Sequence, residues 1–156
     1  MIVRAACGVL ALLAASVAGA GEIGINLYGA SYHFERDRAR ELGLDNQFNP
    51  GIGVRYRQSS ERMEWIADAG IYHDSAERTA MVVGAGAWWK AGESLRLGAA
   101  LALFKSETYN GGDPALAPLP LAAWDFRSVT VNAAFAPRIA GVNEVSTLLF
   151  WLTYWP

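Results

Sequence analysis

Beyond residue 20 the sequence has no cysteine, because the only one in the chain is Cys7. A domain built from the later residues therefore has no disulfide, no thiolate metal site and no cysteine nucleophile. Histidine is also scarce, with only His33 and His73. The formal net charge is −2, so there is no basic field to hold nucleic acid. These absences exclude disulfide-stabilised domains, thiolate metal proteins, cysteine-dependent enzymes and proteins that bind nucleic acid through a basic surface. They also leave few side chains that can act as a general base.

The first twenty residues have the features of a cleaved secretory signal. Met1–Arg4 is a short basic segment, Ala5–Val17 is an apolar run too short to span a bilayer, and Ala18–Ala20 has the small residues of a cleavage site. We expect residues 1–20 to be removed. Residues 21–156, about 136 in number, are then enough for a single domain.

No long apolar run follows the signal, although 53% of the residues are hydrophobic. The apolar residues are spread over short stretches with a period of two, separated by turn residues, which is typical of β-strands. Eight strands are predicted, approximately at Glu22–His33, Gly51–Gln58, Met63–His73, Thr79–Trp89, Ser94–Lys105, Leu119–Trp124, Ser128–Pro137 and Val145–Trp155. The chain is therefore expected to be all-β.

The last predicted strand, Val145–Trp155, carries no charge on either face. Strands of soluble sheets normally carry charged residues on the outer face, so this one favours a membrane β-barrel. Short polar turns alternate with longer loops along the chain, as they do in outer-membrane barrels. We predict an eight-stranded antiparallel transmembrane barrel in the bacterial outer membrane. A soluble barrel of lipocalin type is the alternative, and strands such as Val82–Trp89, with two unwettable faces, argue against it.

Small residues on one face of the fourth and fifth strands indicate what the barrel contains. They are Gly84, Gly86, Gly98, Ala100 and Ala102. A barrel of about eight strands is just wide enough to be filled by side chains or to hold one small ligand. Small inward residues predict an apolar cavity, although they would also relieve crowding in a tapered barrel.

The facing of the polar residues follows from one mid-strand charge. Asp68 shares a strand face with Asp74, and lipid penalises a charge at that depth, so this face is predicted to line the lumen while His73 faces outward. In the first strand, regular alternation would point His33 outward as well. A bulge near Gly29 would reverse the facing and turn His33 inward. The sequence leaves both possibilities open.

Several short motifs occur in the order found in a known enzyme family. They are Tyr32–Arg36, Asn49–Gly53, Asp74–Ser75, Gly84–Gly86, Leu119–Ala122, Val129–Thr130 and Pro137. In this order and spacing the chain resembles the lipid A palmitoyltransferase (PagP) family from about Asn26 to Trp155. The resemblance implies an outer-membrane enzyme that moves a palmitoyl chain from a glycerophospholipid donor to a hydroxyl of lipid A. We expect a monomer that needs no cofactor or metal, with its site facing the outer leaflet.

The resemblance also implies a catalytic group. The functional histidine of the family matches His33, and its aspartate and serine match Asp74 and Ser75. Acyl transfer to an alcohol needs a base near the hydroxyl and hydrogen-bond donors for the developing oxyanion. We therefore predict that His33 is the general base, that Asp74 is its electrostatic or orienting partner, and that Ser75 donates a hydrogen bond to the transition state.

Four further positions match the lipid-binding residues of the family. Gly86 matches the glycine at the floor of the acyl cavity, so that Gly86→Met should shorten the accepted chain. Pro50, Pro120 and Pro137 match prolines that open lateral gates to lipid. Proline cannot donate to a strand ladder, so Pro120 and Pro137, on consecutive strands, predict a local opening in the wall.

Two other functions fit the same pattern. One is a non-catalytic barrel that binds or translocates a hydrophobic ligand, in which His33 and Asp74 are only polar groups of the rim. The other is a lipid A deacylase, which uses similar residue types but hydrolyses instead of transferring.

Overall fold

A computed structural model describes residues 21–156, so the predicted signal and Cys7 lie outside the described residues. The strands are β1 (Glu22–His33), β2 (Phe48–Ser59), β3 (Met63–His73), β4 (Thr79–Lys90), β5 (Leu95–Lys105), β6 (Ala115–Phe126), β7 (Val129–Ala136) and β8 (Thr147–Tyr154). Each strand pairs antiparallel with the next, and β8 pairs with β1 to close the barrel. The predicted all-β, eight-stranded antiparallel barrel is confirmed. One short helix, α1 (Arg36–Glu41), lies in the loop after β1.

The outside of the barrel is apolar around its whole circumference. Side chains in mid-strand, such as Val54, Ile71 and Leu101, are 50 to 55% exposed. Exposed aromatic residues form a girdle near the short turns (Trp65, Trp89, Trp124, Phe126 and Tyr154) and a cluster near the long loops at β1 and β2 (Tyr32, Phe34 and Phe48). An apolar band edged by a girdle of aromatic residues is typical of the outer surface of a transmembrane barrel. Separately, no helix within residues 21–156 is long and apolar enough to cross a membrane.

A bulge in β1 decides the facing of His33. The pairing of β1 with both of its neighbours shifts between Tyr28 and Ala30. Asn26 is fully buried before the shift, and Ser31 and His33 are 4% and 3% exposed after it. The residues that point inward therefore have even numbers before the bulge and odd numbers after it, and His33 faces the interior.

The strand β6 is longer than predicted and is paired on only one side over part of its length. It begins at Ala115 rather than at Leu119 and runs through Pro118 and Pro120. Ala115–Pro120 belong to the ladder with β5, whereas the ladder with β7 starts at Leu121. Proline is tolerated at such an unpaired edge because no partner needs its missing N–H. The wall between β6 and β7 is thus unzipped in the half that carries the long loops.

The interior is filled in one half and hollow in the other. In the half near the short turns, Ile66 and Trp88 are buried among charged residues, and Arg96 pairs with Asp125 at 2.8 Å. Towards the long loops the inward positions are small, including Gly84, Ala100 and Ala102 on β4 and β5. This difference in side-chain size leaves a cavity in the half of the barrel where His33 lies.

Candidate functional site

Ser75 and His33 form a buried pair at the end of the barrel with the long loops. The Ser75 Oγ lies 3.1 Å from the His33 Nε2, and the two residues are 4% and 3% exposed. His33 is the last residue of β1, and Ser75 lies in the turn between β3 and β4. The other ring nitrogen of His33, Nδ1, is buried with no hydrogen-bond partner. Proton transfer between a hydroxyl and an imidazole requires this kind of contact.

Two further polar groups surround the Ser75 hydroxyl. The Ser31 Oγ lies 3.4 Å from it, and the Asn49 Nδ2 lies 3.5 Å from it. Ser31 is brought inward by the same bulge that turns His33, and Asn49 comes from the neighbouring strand β2. The Ser75 oxygen is therefore the centre of a cluster contributed by β1, β2 and the turn after β3.

Asp74 is fully buried next to Ser75, but its carboxylate does not contact His33. It accepts hydrogen bonds from the Ser106 hydroxyl and from the backbone N–H groups of Ala76 (3.0 Å) and Arg78 (2.9 Å). The sequence predicted Asp74 as the partner of His33, whereas the direct partner in the structure is Ser75. Asp74 instead holds the turn that presents Ser75 and ties it to the loop after β5.

Tyr109, which follows β5 in the loop to β6, also contacts Ser75. Burial raises the pKa of the Tyr109 hydroxyl well above its usual range and the Asp74 charge raises it further, while hydrogen bonds with Ser75 partly offset these effects. The phenol therefore stays protonated in any physiological medium. Its oxygen accepts hydrogen bonds from Ser75, and its own O–H can still donate one.

Two adjoining apolar cavities, here called the upper and deep parts of the cavity, share Asn49, Tyr72, Phe104 and Leu149 in their linings. The upper part is lined by Ser75, Asn49, Tyr109 and mainly apolar residues. The deep part is lined by Asn49, by small residues of β4 and β5, and by aromatic and aliphatic side chains of the other strands, with Arg55 and Asp68 at its end. The volume open to the centre of a water molecule is about 70 Å³ in the upper part and about 80 Å³ in the deep part. The predicted apolar cavity is therefore present as a narrow space. Ser75 lies on its wall, with His33 behind it.

The prolines predicted as gates lie at interruptions of the wall. Pro50 is exposed in β2 beside the shifted register of β1, and Pro120 is the last residue of β6 before its ladder with β7 begins. Pro137 directly follows β7 and lines the upper cavity together with Ala136. The upper cavity thus extends to the unpaired stretch between β6 and β7.

Gly86 faces inward but does not line the cavity, which is lined on β4 by Val82 and Gly84. A Cβ atom at Gly86 would overlap the backbone carbonyl oxygen of Ala99 and lie 2.7 Å from the Ala100 Cβ. A methionine at this position would therefore displace the backbone of β5 rather than simply fill space. The inward positions of β5 are better placed for a test of chain length.

A polar layer closes the deep end of the cavity. The guanidinium of Arg55, which is 2% exposed, donates to both carboxylate oxygens of Asp68 at 2.8 and 2.9 Å and to the Asn132 Oδ1 at 2.6 Å. Asn26 and Thr153 complete the layer, through bonds of 2.7 Å from Asn26 to Asp68 and from Thr153 to Asn26. The sequence analysis placed Asp68 in the lumen but missed Arg55. The sequence does contain a signal for this pair, because Arg55 and Asp68 both occupy inward positions on the adjacent strands β2 and β3.

A small apolar plug covers the site from outside. Ala39 of α1, Leu44 and Val145 are buried together, with Ala76 packed against them. Beside the plug, the Glu35 carboxylate accepts hydrogen bonds from the backbone and hydroxyl of Ser146 at 2.8 and 3.1 Å. These contacts fasten the loop after β1 to the loop before β8 and shield His33 from water.

A second, polar cavity lies among the loops on the other side of Tyr109. Its lining includes Arg78, Glu107, Thr108 and Glu144. The volume open to the centre of a water molecule is about 480 Å³. Tyr109 lines both this outer cavity and the upper part of the apolar cavity. Within residues 21–156, no three His, Cys, Asp or Glu side chains are grouped so that they could hold a metal ion.

No protein-family model matches this sequence, and no curated protein compared with it matches either. Solved structures that are similar to the chain include the solution NMR structure of the de novo designed protein TMB2.3. The two sequences are 16% identical, the match covers 89% of this chain and 97% of the designed one, and the TM-score is 0.55. At this level of identity, the likeness shows the shared barrel fold alone.

Proposed function

We propose that this protein is an acyltransferase of the bacterial outer membrane, which moves a palmitoyl or other long acyl chain from a glycerophospholipid to a hydroxyl of lipid A. The observation that carries the proposal is the buried Ser75–His33 pair at the mouth of an apolar cavity. An apolar cavity suits a hydrocarbon chain, and the pair suits attack on the ester at its end. The resemblance to the lipid A palmitoyltransferase family agrees with an acyl-chain cavity and implies a catalytic group that includes His33 and Ser75.

The chemistry we propose starts at Ser75. His33 takes the proton of the Ser75 hydroxyl, which attacks the ester carbonyl of the phospholipid and receives the acyl chain. A lipid A hydroxyl then takes the chain from Ser75 with His33 again as the base. Asp74 acts by holding the turn, since its carboxylate bonds to Ser106 and to the turn backbone. Ser75 thus acts as the nucleophile and not, as the sequence analysis predicts, as a hydrogen-bond donor to the transition state. The reason for this change is that Ser75 rather than His33 lies on the cavity wall.

The two substrates would enter by different routes. The unpaired stretch between β6 and β7, flanked by Pro120 and Pro137, supports lateral entry of the phospholipid from the membrane. Pro50 lies at a second interruption, between β1 and β2. The outer cavity has hydrogen-bond donors and acceptors suited to the sugar head of lipid A, and Tyr109 separates it from Ser75. Because the loop end carries the site, we propose that it faces the outer leaflet and that a monomer suffices.

Mass spectrometry of lipid A from cells with and without the gene tests the proposed function. A gain of one palmitoyl group that depends on the gene is the expected result. Loss of an acyl chain would instead identify a deacylase, in which lipid A is the acyl donor and water is the acceptor. Unchanged lipid A would leave a non-catalytic barrel that binds a hydrophobic ligand.

Chain length should respond to Ala100, which faces the deep cavity from β5. We expect Ala100→Leu to fill that space and to lower transfer of the longest accepted chain by about tenfold or more relative to shorter chains. Competition between phospholipids of different chain length measures this preference. Ala99→Leu is the matched control, because Ala99 is the adjacent residue and faces outward. Equal preference in the two variants would contradict the assignment of the cavity to the acyl chain.

A further inference from the structure

Asn49 is a buried carboxamide whose hydrogen bonding is incomplete. It is 6% exposed, and its Oδ1 is buried with no hydrogen-bond partner. Its Nδ2 makes only a long contact with the Ser75 Oγ, at 3.5 Å. Buried polar groups are nearly always satisfied, so one that is not calls for a functional explanation.

The position of Asn49 suggests what that function is. It lines both the deep and the upper parts of the apolar cavity, so a chain bound along the cavity would pass directly beside it. The residue belongs to β2, and Pro50 follows it at the place where the pairing with β1 shifts. The strand β2 thus places the carboxamide next to the attacking oxygen.

We propose that the Asn49 carboxamide is the oxyanion donor of the acyl transfer. This inference rests on the proposed function, and it assigns a residue to which neither the sequence analysis nor the resemblance gave a role. An amide that adjoins the Ser75 Oγ also adjoins the oxygen that becomes negative, because both oxygens are bound to the same carbon in the tetrahedral intermediate. Preorganised N–H donors at that place are a principal source of rate acceleration in acyl transfer.

A lone pair of the Ser75 oxygen forms a bond to the ester carbonyl carbon while the hydroxyl proton passes to His33. The π electrons of the carbonyl move to its oxygen, and that oxyanion accepts the hydrogen bond from the Asn49 Nδ2. When the carbonyl re-forms, the bond to the glycerol oxygen breaks, and this leaving oxygen takes the proton from His33. The second half runs in the same way with the lipid A hydroxyl as the attacking group.

Two variants separate this role from a merely structural one. Asn49→Asp keeps the shape of the side chain but removes the N–H donor, and Asn49→Leu removes both polar atoms. If Asn49 is the oxyanion donor, both variants should lower kcat by about 10²–10³-fold with little change in KM for the phospholipid. Asn49→Leu should nevertheless unfold at the same or a higher temperature, because it removes an unpaired buried polar group. Asn46→Asp is the control, since it introduces the same change in the loop just before β2, where Asn46 bonds the backbone of Phe48.

A second readout does not depend on the natural substrates. A fluorophosphonate with a long alkyl chain reacts with an activated serine, whose oxygen bonds to phosphorus as fluoride leaves, and its phosphoryl oxygen occupies the oxyanion position. We expect Ser75 to be labelled in the unaltered protein and the rate of labelling to fall by about a hundredfold in Asn49→Asp. Labelling without transfer to lipid A would contradict the proposed function and leave the role of Asn49 intact. Labelling at the same rate in Asn49→Asp, or no labelling of Ser75 in the unaltered protein, would overturn the inference.

Discussion

Ser75→Ala is expected to reduce transfer of the acyl chain at least about a hundredfold without unfolding the barrel. The physical reason is that the Ser75 oxygen, the nucleophile we propose, lies on the cavity wall with the His33 Nε2 3.1 Å away in a position to take its proton. His33→Ala should cause a loss of the same order, since the serine hydroxyl is a weak nucleophile without an adjacent base. Transfer of a radiolabelled acyl chain to purified lipid A in detergent measures both.

The double variant is more informative than either single one. If Ser75 and His33 act as a unit, replacing both should cost little more than replacing one, because effects within a catalytic unit are strongly non-additive. Losses that multiply would mean that the two side chains act in separate steps. Ser128→Ala and His73→Ala are matched controls, since both residues are exposed and lie outside the site. Activity that survives in Ser75→Ala but not in His33→Ala would restore the original prediction that His33 acts directly on the acceptor hydroxyl.

Asp68→Asn is expected to destabilise the barrel strongly, lowering the free energy of unfolding by about 3–5 kcal/mol. The substitution leaves the Arg55 guanidinium charged in the interior, where it is 2% exposed and has lost the carboxylate that it contacts with two of its nitrogens. An uncompensated buried charge is costly because it has been removed from water. Urea unfolding in lipid vesicles, followed by tryptophan fluorescence, measures the change.

Removing both charges should restore much of that stability. Arg55→Met combined with Asp68→Asn leaves no unpaired ion, so it should be less destabilising than Asp68→Asn alone. The control is Asp37→Asn, which breaks the exposed pair between Asp37 and Arg40 on α1 and should have no measurable effect. If the double variant is the less stable of the two, the polar layer contributes through packing and hydrogen bonding rather than through charge compensation.

Much of the barrel could be predicted from local pattern alone. Alternation with a period of two gave the number of strands and the inward face of β3, because successive side chains of a strand point to opposite sides whatever the strand packs against. Strand ends were less predictable. The sequence analysis began β6 at Leu119, whereas the strand begins at Ala115, because pairing with β5 alone continues it through Ala115–Pro120.

The site was predicted in part. His33, Asp74 and Ser75 lie at one end of the barrel, and the side chain that contacts His33 is Ser75 rather than Asp74, which the sequence analysis predicted as its electrostatic or orienting partner. Asn49 belongs to one of the motifs of the resemblance, but the resemblance implies no role for it. Tyr109 and Ser106 belong to none of these motifs. Their importance rests on distances between loops, for which a single sequence has no periodic signal.

The sequence by itself therefore determined an all-β chain, its strand count and an interior with small residues in one half, because these follow from the order of side chains along each strand. Only the tertiary structure decided which way His33 points, because a shift of register at the β1 bulge reverses every side chain beyond it. It likewise decided that the Ser75 hydroxyl meets His33 and Asn49, which are 42 and 26 residues away in the chain. Closure of the barrel fixes the relative heights of the strands, and those heights set which side chains of different loops come within hydrogen-bonding distance.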